Sequence, residues 1–155
     1  MKKTNAIRLL QQKKINFEAV HYEYDSEHLN VGKIAKDNDL VLEQVYKTLV
    51  LEGDKTGVIV ALVAGDQSLS LKKMATISKN KKVAMLAVKD LQKHTGYIRG
   101  GCSPIGMKKQ YPVYISEEAK DLEKLYINAG TRGILVGLVP SDLQDLAQGE
   151  WAEIV

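Results

Sequence analysis

The chain has one cysteine. It therefore cannot close an internal disulfide, and its thiol content fits a reducing compartment. Nowhere does an apolar run approach the roughly 18 residues needed to span a membrane. Met1-Lys2-Lys3-Thr4-Asn5 begins like a signal peptide, but Arg8, Gln11, Gln12, Lys13 and Lys14 interrupt any apolar segment behind it. These absences predict a soluble cytoplasmic protein without membrane contact. Net charge is scarce too: 22 Lys and Arg against 19 Asp and Glu leave +3, too little by itself to indicate nucleic acid. The apolar fraction of 45% and charged fraction of 26% are those of an ordinary globular domain and exclude disorder.

Several chemistries are missing as well. His21, His28 and His94 stand far apart, with no cysteine or carboxylate at ligand spacing, so no metal site is predicted. Ser103 is not set in a Gly-x-Ser-x-Gly elbow. No Gly-Lys-Ser/Thr phosphate loop occurs, and no Gly-x-Gly-x-x-Gly opens a helix after a strand. No cofactor is expected.

What is present reads as one domain spanning residues 1–155. Thr4 caps a first helix that runs to about Ile15, and Phe17 to Tyr24 alternates as a strand with Val20, Tyr22 and Tyr24 on one side. Short helices are expected at Val31–Asp37 and from about Val41. Val45–Leu51 and Val58–Ala64 form a hairpin around Glu52–Gly57. A helix from Ser70 to Ser78 is expected to bury Leu71, Met74 and Ile77. Further strands are expected at Val83–Leu86, Val113–Ile115, Lys124–Asn128, Ile134–Leu138 and Trp151–Val155, with helices at Val88–His94 and from Pro140 to about Ala147. Connections too short for crossovers make this α+β, with a mixed, largely antiparallel, curved sheet of about six to seven strands and flanking helices.

Gly100-Gly101-Cys102-Ser103-Pro104-Ile105-Gly106 packs three glycines and a proline into seven residues. Such a loop holds free backbone N–H groups in a concavity and lets a carbonyl or phosphate approach the main chain. Lys47 lies inside the otherwise apolar run Val45-Tyr46-Lys47-Thr48-Leu49-Val50-Leu51. It either snorkels from a sheet edge or holds an anion as a point charge. Cys102 has no base beside it in sequence and reads as a small filler behind the loop rather than a nucleophile. Tyr22 and Tyr24 are either packing residues or the rim of a pocket. Asn128, Thr131 and Arg132 either shape the turn between Gly130 and Gly133 or face a ligand. Lys72-Lys73, Lys79, Lys81-Lys82, Lys89, Lys93, Arg99 and Lys108-Lys109 crowd the middle third. They form a solvated surface or a landing area for a polyanion.

Tyr46-Lys47-Thr48-Leu49, Thr95-Gly96-Tyr97-Ile98-Arg99 with the loop through Lys109, and Ala129-Gly130-Thr131-Arg132-Gly133 together resemble the YbaK/EbsC family. The likeness extends over essentially the whole chain. Members are free-standing Cys-tRNA(Pro) deacylases related to the editing insertion of bacterial prolyl-tRNA synthetases. The resemblance implies that Lys47 is the essential lysine and that Gly100, Gly101 and Pro104, with Cys102 and Ser103 between, cradle the terminal adenosine and aminoacyl carbonyl. It implies that Tyr22 lines the amino-acid pocket, with Thr48 beside the lysine and Asn128, Gly130 and Arg132 around the substrate. It also implies a substrate whose own thiol attacks its ester, and prolyl-tRNA synthetase with its tRNA as partner.

Two positions depart from the family pattern. Lysine is frequent where Thr131 stands, and an acidic residue where Leu135 stands. Fold and reaction class are expected to survive these changes, and losing a charge of each sign is either a compensated swap or a change in the amino acid or tRNA preferred. An alanyl-tRNA(Pro) deacylase and a non-catalytic module that binds aminoacyl or nucleotide ligands are the alternatives.

Overall fold

In the computed structural model, which describes residues 3–24 and 31–155, helix α1 spans Asn5–Gln12. Its N-cap is Thr4, whose Oγ1 accepts from Ile7 N at 3.2 Å. The same hydroxyl donates to Ala129 O, which fastens the helix start to the far end of the chain. The helix buries Ala6, Ile7 and Leu10 and stops short of Ile15. Lys14 takes a left-handed conformation (φ 56°) and Ile15 N returns to Leu10 O, which ends the helix and leaves Lys14 exposed. Thr4→Ala is expected to cost about 1–2 kcal/mol, the usual price of a lost N-cap, with Thr4→Ser retaining most of it. Urea unfolding checks this, and an unchanged midpoint for Thr4→Ala would contradict it.

The remaining elements follow in order: β1 (Glu18–His21), α2 (Val31–Asp37), β2 (Tyr46–Gly53), β3 (Gly57–Ala64), α3 (Leu71–Ser78), β4 (Val83–Met85), α4 (Val88–Thr95), β5 (Val113–Ser116), β6 (Leu125–Asn128), β7 (Ile134–Leu138), α5 (Pro140–Ala147) and β8 (Gly149–Ala152). The helix expected near Val41 is only a 3-10 turn, Leu42–Gln44, whose leading residue offers no side-chain cap. Strand β1 ends before Tyr22, although Tyr22 N still donates to Gly133 O at 2.9 Å. The terminal strand is set earlier than Trp151–Val155.

The fold is α+β, but the eight strands described divide into two sheets rather than one. Strands β4-β2-β3-β5-β8 form the larger, with β2 antiparallel to both β3 and β4, and β5 parallel to both β3 and β8. Strands β1-β7-β6 form a wholly antiparallel second sheet. A single parallel bridge from Val45 to Tyr126 joins them. The main core contains Ile7, Leu10, Tyr46, Val60, Leu62, Ile115, Ile127, Val136 and Leu143, contributed by both sheets and by α1 and α5. On the other face of β3, Ile59, Ala61 and Val63 pack with Met74 of α3. Burial on both faces explains why β3 reads as an unbroken apolar run.

Helix α3 is rotated from its expected setting. It buries Met74, Ala75 and Ser78 and leaves Leu71 and Ile77 exposed. Ser78 tolerates burial because its Oγ donates to Met74 O at 2.6 Å.

Candidate active site

Strand β4 pairs only with Leu51–Gly53, so among the described residues the first half of β2 has no ladder partner on that side beyond the lone Val45–Tyr126 bridge just before it. Leu86 N still donates to Val50 O, which shows that the Val50 backbone faces the β4 side. By two-residue alternation the Thr48 backbone faces the same way, into the unpaired gap. A pocket of about 300 Å³ opens there. It is lined by Tyr22, Ile34, Val45, Tyr46, Lys47, Thr48, Leu49, Arg99, Gly100, Cys102, Asn128 and Leu135. Its size is at the small end for ligand sites.

Six of the expected site residues meet in this pocket, Tyr22, Lys47, Thr48, Gly100, Cys102 and Asn128, and Leu135, one of the two departures from the family pattern, lines it as well. Gly101, Ser103, Pro104, Gly130 and Arg132 do not line it. Ser103 and Pro104 are buried behind the loop, and Ser103 Oγ accepts from Ile105 N at 3.2 Å. Gly101 is pressed against the Gly130–Gly133 turn, where a Cβ would come within 2.9 Å of the Thr131 backbone. A Cβ on Gly130 would come within 2.7 Å of the Tyr97 ring, and Tyr97 in turn donates from its hydroxyl to Ile105 O at 2.7 Å. Tyr97 thus wedges the loop and the turn into one unit. Arg132 sits just outside the lining and donates from Nε to Arg99 O at 2.8 Å.

The loop amides differ from expectation in one residue. Gly101 N–H is turned inward, donating to Ile98 O at 3.1 Å. Among the described residues the amides of Gly100 and Cys102, on either side, donate to nothing. Lys47 is half-buried, and its Nζ donates to Gln67 O at 2.9 Å, with no carboxylate partner among the described residues. Thr48 Oγ1 and Tyr46 Oη are buried without a partner among the described residues. An unsatisfied buried hydroxyl of this kind costs about 1–3 kcal/mol. Tyr22 Oη donates to Asn128 Oδ1 at 3.1 Å, linking β6 to the end of β1 across the pocket. Burial raises the Tyr22 phenol, while the positive charge of Arg132 pulls it the other way.

Burial pushes the Cys102 thiol up to about 12. It is therefore protonated at neutral pH and a poor nucleophile. Among the described residues no carboxylate lines the pocket, and two cations do, Lys47 and Arg99. The site can hold an anionic or strongly dipolar group, and its described residues form no acid–base pair. Among the described residues no cluster of His, Cys, Asp and Glu is placed to hold a metal; His28 lies outside them. No described helix is long and apolar enough to cross a membrane.

Sequence reading placed Arg99 only in the basic middle-third cluster and missed it, Ile34 and Tyr46 as lining residues, along with the unpaired edge of β2. Arg99 had a visible signal, since it directly precedes Gly100. Ile34 had none, because a short amphipathic helix does not announce which pocket it covers.

Comparison with known proteins places this geometry in a family. The chain is 45% identical over 152 residues, covering 98% of it and 93% of the relative, to a protein of Enterococcus faecalis named "Putative Cys-tRNA(Pro)/Cys-tRNA(Cys) deacylase EbsC". Protein YwhH of Bacillus subtilis is 24% identical over 133 residues, covering 85% of this chain and 84% of that one. A crystal structure described as "a putative trans-editing enzyme for prolyl tRNA synthetase" superimposes with a TM-score of 0.84 at 21% identity, covering 99% of this chain and 98% of that one. Such low identity establishes a shared fold alone. Residues 27–146 match the family described as the aminoacyl-tRNA editing domain, a span that includes every residue of the pocket except Tyr22. The chain belongs to the aminoacyl-tRNA editing domain family.

Proposed function

We propose that the protein is a free-standing deacylase that removes cysteine from mischarged Cys-tRNA(Pro), with residues 1–155 acting as one editing domain. The observation that carries this reading is the pocket itself. Lys47, Thr48, Tyr22, Asn128, Gly100 and Cys102 line one small cavity, the amides of Gly100 and Cys102 have no partner among the described residues, and those residues supply donors and positive charge but neither an ionised nucleophile nor a base. An aminoacyl ester is already activated, so positioning and oxyanion stabilisation suffice.

In this reading Lys47 exchanges its bond to Gln67 O for the acceptor end of the tRNA. The Gly100 and Cys102 amides face the ester oxygen, and Gly101 holds the loop against Thr131. Thr48 Oγ1 gains the partner it lacks. Tyr22 and Asn128 close the amino-acid end, where Ile34, Val45 and Leu135 supply an apolar wall. The substrate thiolate sulfur attacks its own carbonyl carbon, and the resulting oxyanion collapses to break the bond to the ribose oxygen. The proton lost by the thiol ends on that oxygen, leaving free tRNA and a cyclic thioester that water opens. The apolar wall would also accept the methyl group of alanine, which makes the alanyl ester the competing substrate. Prolyl-tRNA synthetase is the proposed source of the tRNA, and the cytoplasm the site of action.

Cys102→Ser is the direct test of where the reacting sulfur resides. The substitution keeps the backbone amide and removes the thiol, so hydrolysis of Cys-tRNA(Pro) should retain most of its rate. Loss of turnover in a normally folded Cys102→Ser protein would assign the chemistry to the enzyme thiol. The pH profile gives a second check. The rate should rise with pH towards the range of a free thiol, about 8.5, because the substrate sulfur must ionise. Cys102, held near 12, contributes no inflection in the neutral range. A flat profile would contradict thiol assistance.

A further inference from the structure

The two arginines at the pocket mouth are arranged in an unusual way. Arg132 Nε donates to the main-chain oxygen of Arg99 at 2.8 Å, so one guanidinium is held over the backbone that carries the other. Arg99 lines the pocket and is exposed, whereas Arg132 is half-buried beside it. Among the described residues neither is paired with a carboxylate. The ion pairs that do form, Lys33–Asp37, Lys73–Glu153, Lys93–Asp90 and Lys124–Glu18, involve other residues. Lys47, the other cation lining the pocket, is likewise without a carboxylate partner among the described residues. Like charges gathered without a counter-ion repel one another, and an anion entering between them relieves that cost.

Guanidinium groups present planar, paired donors that match phosphate oxygens better than an ammonium does. The pocket is only about 300 Å³, room for a small aminoacyl group and part of its ribose. The next group outward along an RNA acceptor end is the phosphodiester on the 5′ side of the terminal adenosine. We propose that Arg99 and Arg132 form a clamp for this last phosphodiester, setting the depth to which the aminoacyl ester enters the pocket. The proposal rests on the deacylase reading for its choice of ligand. It assigns Arg99, which lay outside the expected site, a substrate-positioning role and gives Arg132 a specific contact.

The test uses an uncharged, fluorescently labelled short RNA ending in CCA, with binding read by anisotropy across a salt series. Arg99→Gln is the cleaner variant, because the main-chain oxygen that accepts from Arg132 remains. It should weaken binding roughly tenfold, the order expected for one charge-assisted hydrogen bond. It should also reduce the slope of log affinity against log salt by about 0.7, the contribution of one single-strand phosphate. Replacing the terminal phosphodiester with an uncharged methylphosphonate should weaken binding to the wild type by a similar factor. It should cost nothing further in Arg99→Gln/Arg132→Gln, because both changes remove the same contact. Losses that simply add, or no measurable binding of the RNA by the wild type, would overturn the clamp. Since no ester is cleaved, the result is independent of turnover. A coupled loss without deacylation in a separate assay would retain the clamp and refute the enzyme, and deacylation with additive losses would do the reverse.

Discussion

Lys47→Ala is expected to lower the rate of Cys-tRNA(Pro) hydrolysis by at least about 100-fold, the order of effect seen when one preorganised donor is removed from a charge-stabilising site. The fold should be unaffected. Lys47 forms no ion pair among the described residues, and its one hydrogen bond is to Gln67 O on the protein surface. Surface contacts of that type contribute well under about 1 kcal/mol. Lys47 lies within β2, where alanine continues the strand without strain. Lys47→Arg should recover little, because the planar guanidinium is wider than an ammonium and cannot occupy the same point in a 300 Å³ pocket. Single-turnover hydrolysis measured beside a urea melt separates the two effects. A rate within severalfold of the wild type would remove Lys47 from the site, and a collapsed melt would make it structural.

The second large effect is expected from Gly101→Ala. The added methyl would come within 2.9 Å of Thr131 Cα and carbonyl carbon and 3.0 Å of Arg132 N. Those are backbone atoms, which cannot swing aside as a side-chain tip can. Either the glycine-proline loop or the Gly130–Gly133 turn must therefore move. The Gly100 and Cys102 amides ride on the loop, and Arg132 rides on the turn. A displacement of about 1 Å at such donors is worth on the order of 100-fold in rate. Stability should fall by about 1–3 kcal/mol, the usual cost of overpacking. Gly57→Ala is the matched control. Nothing lies within 4 Å of its Cβ position, so the cost there is only backbone strain at φ 74°, far from the pocket. If Gly101→Ala were as active as Gly57→Ala, loop position would not govern the reaction.

How much of this was readable in the sequence differs from element to element. The β2–β3 hairpin was legible because an unbroken apolar strand and a Glu-Gly-Asp-Lys-Thr-Gly turn leave few alternatives, and its register closes from Tyr46↔Ala64 to Gly53↔Gly57. The division into two sheets was not. Strand patterns show which faces are apolar but not which partners they choose, and only the Val45–Tyr126 bridge reveals how the sheets join. The buried face of α3 was misread because periodicity scores Leu71 and Ile77 as apolar and Ser78 as polar. It is blind to the hydrogen bond that satisfies Ser78.

The site shows the same pattern. Lys47 was conspicuous as a charge in an apolar strand, and the loop was conspicuous for its glycines. That Tyr22 reaches Asn128 across 106 residues of sequence is a fact of the fold alone. The direction of the Gly101 amide could not be read either, since a glycine-rich loop advertises free donors without saying which are used internally. Family resemblance gave Arg132 a place around the substrate and included Arg99 in its motif without giving it a role. The bond from Arg132 to the Arg99 carbonyl brings the pair together.

The most direct test of the central claim is hydrolysis of tRNA(Pro) charged in turn with cysteine, alanine, serine or proline. Wild type and Lys47→Ala are run in parallel, with spontaneous hydrolysis subtracted. The expected result is rapid, Lys47-dependent loss of the cysteinyl ester, with the seryl and prolyl esters decaying at the background rate. Faster loss of the alanyl ester, or no acceleration of any ester, would contradict a thiol-assisted cysteinyl deacylase.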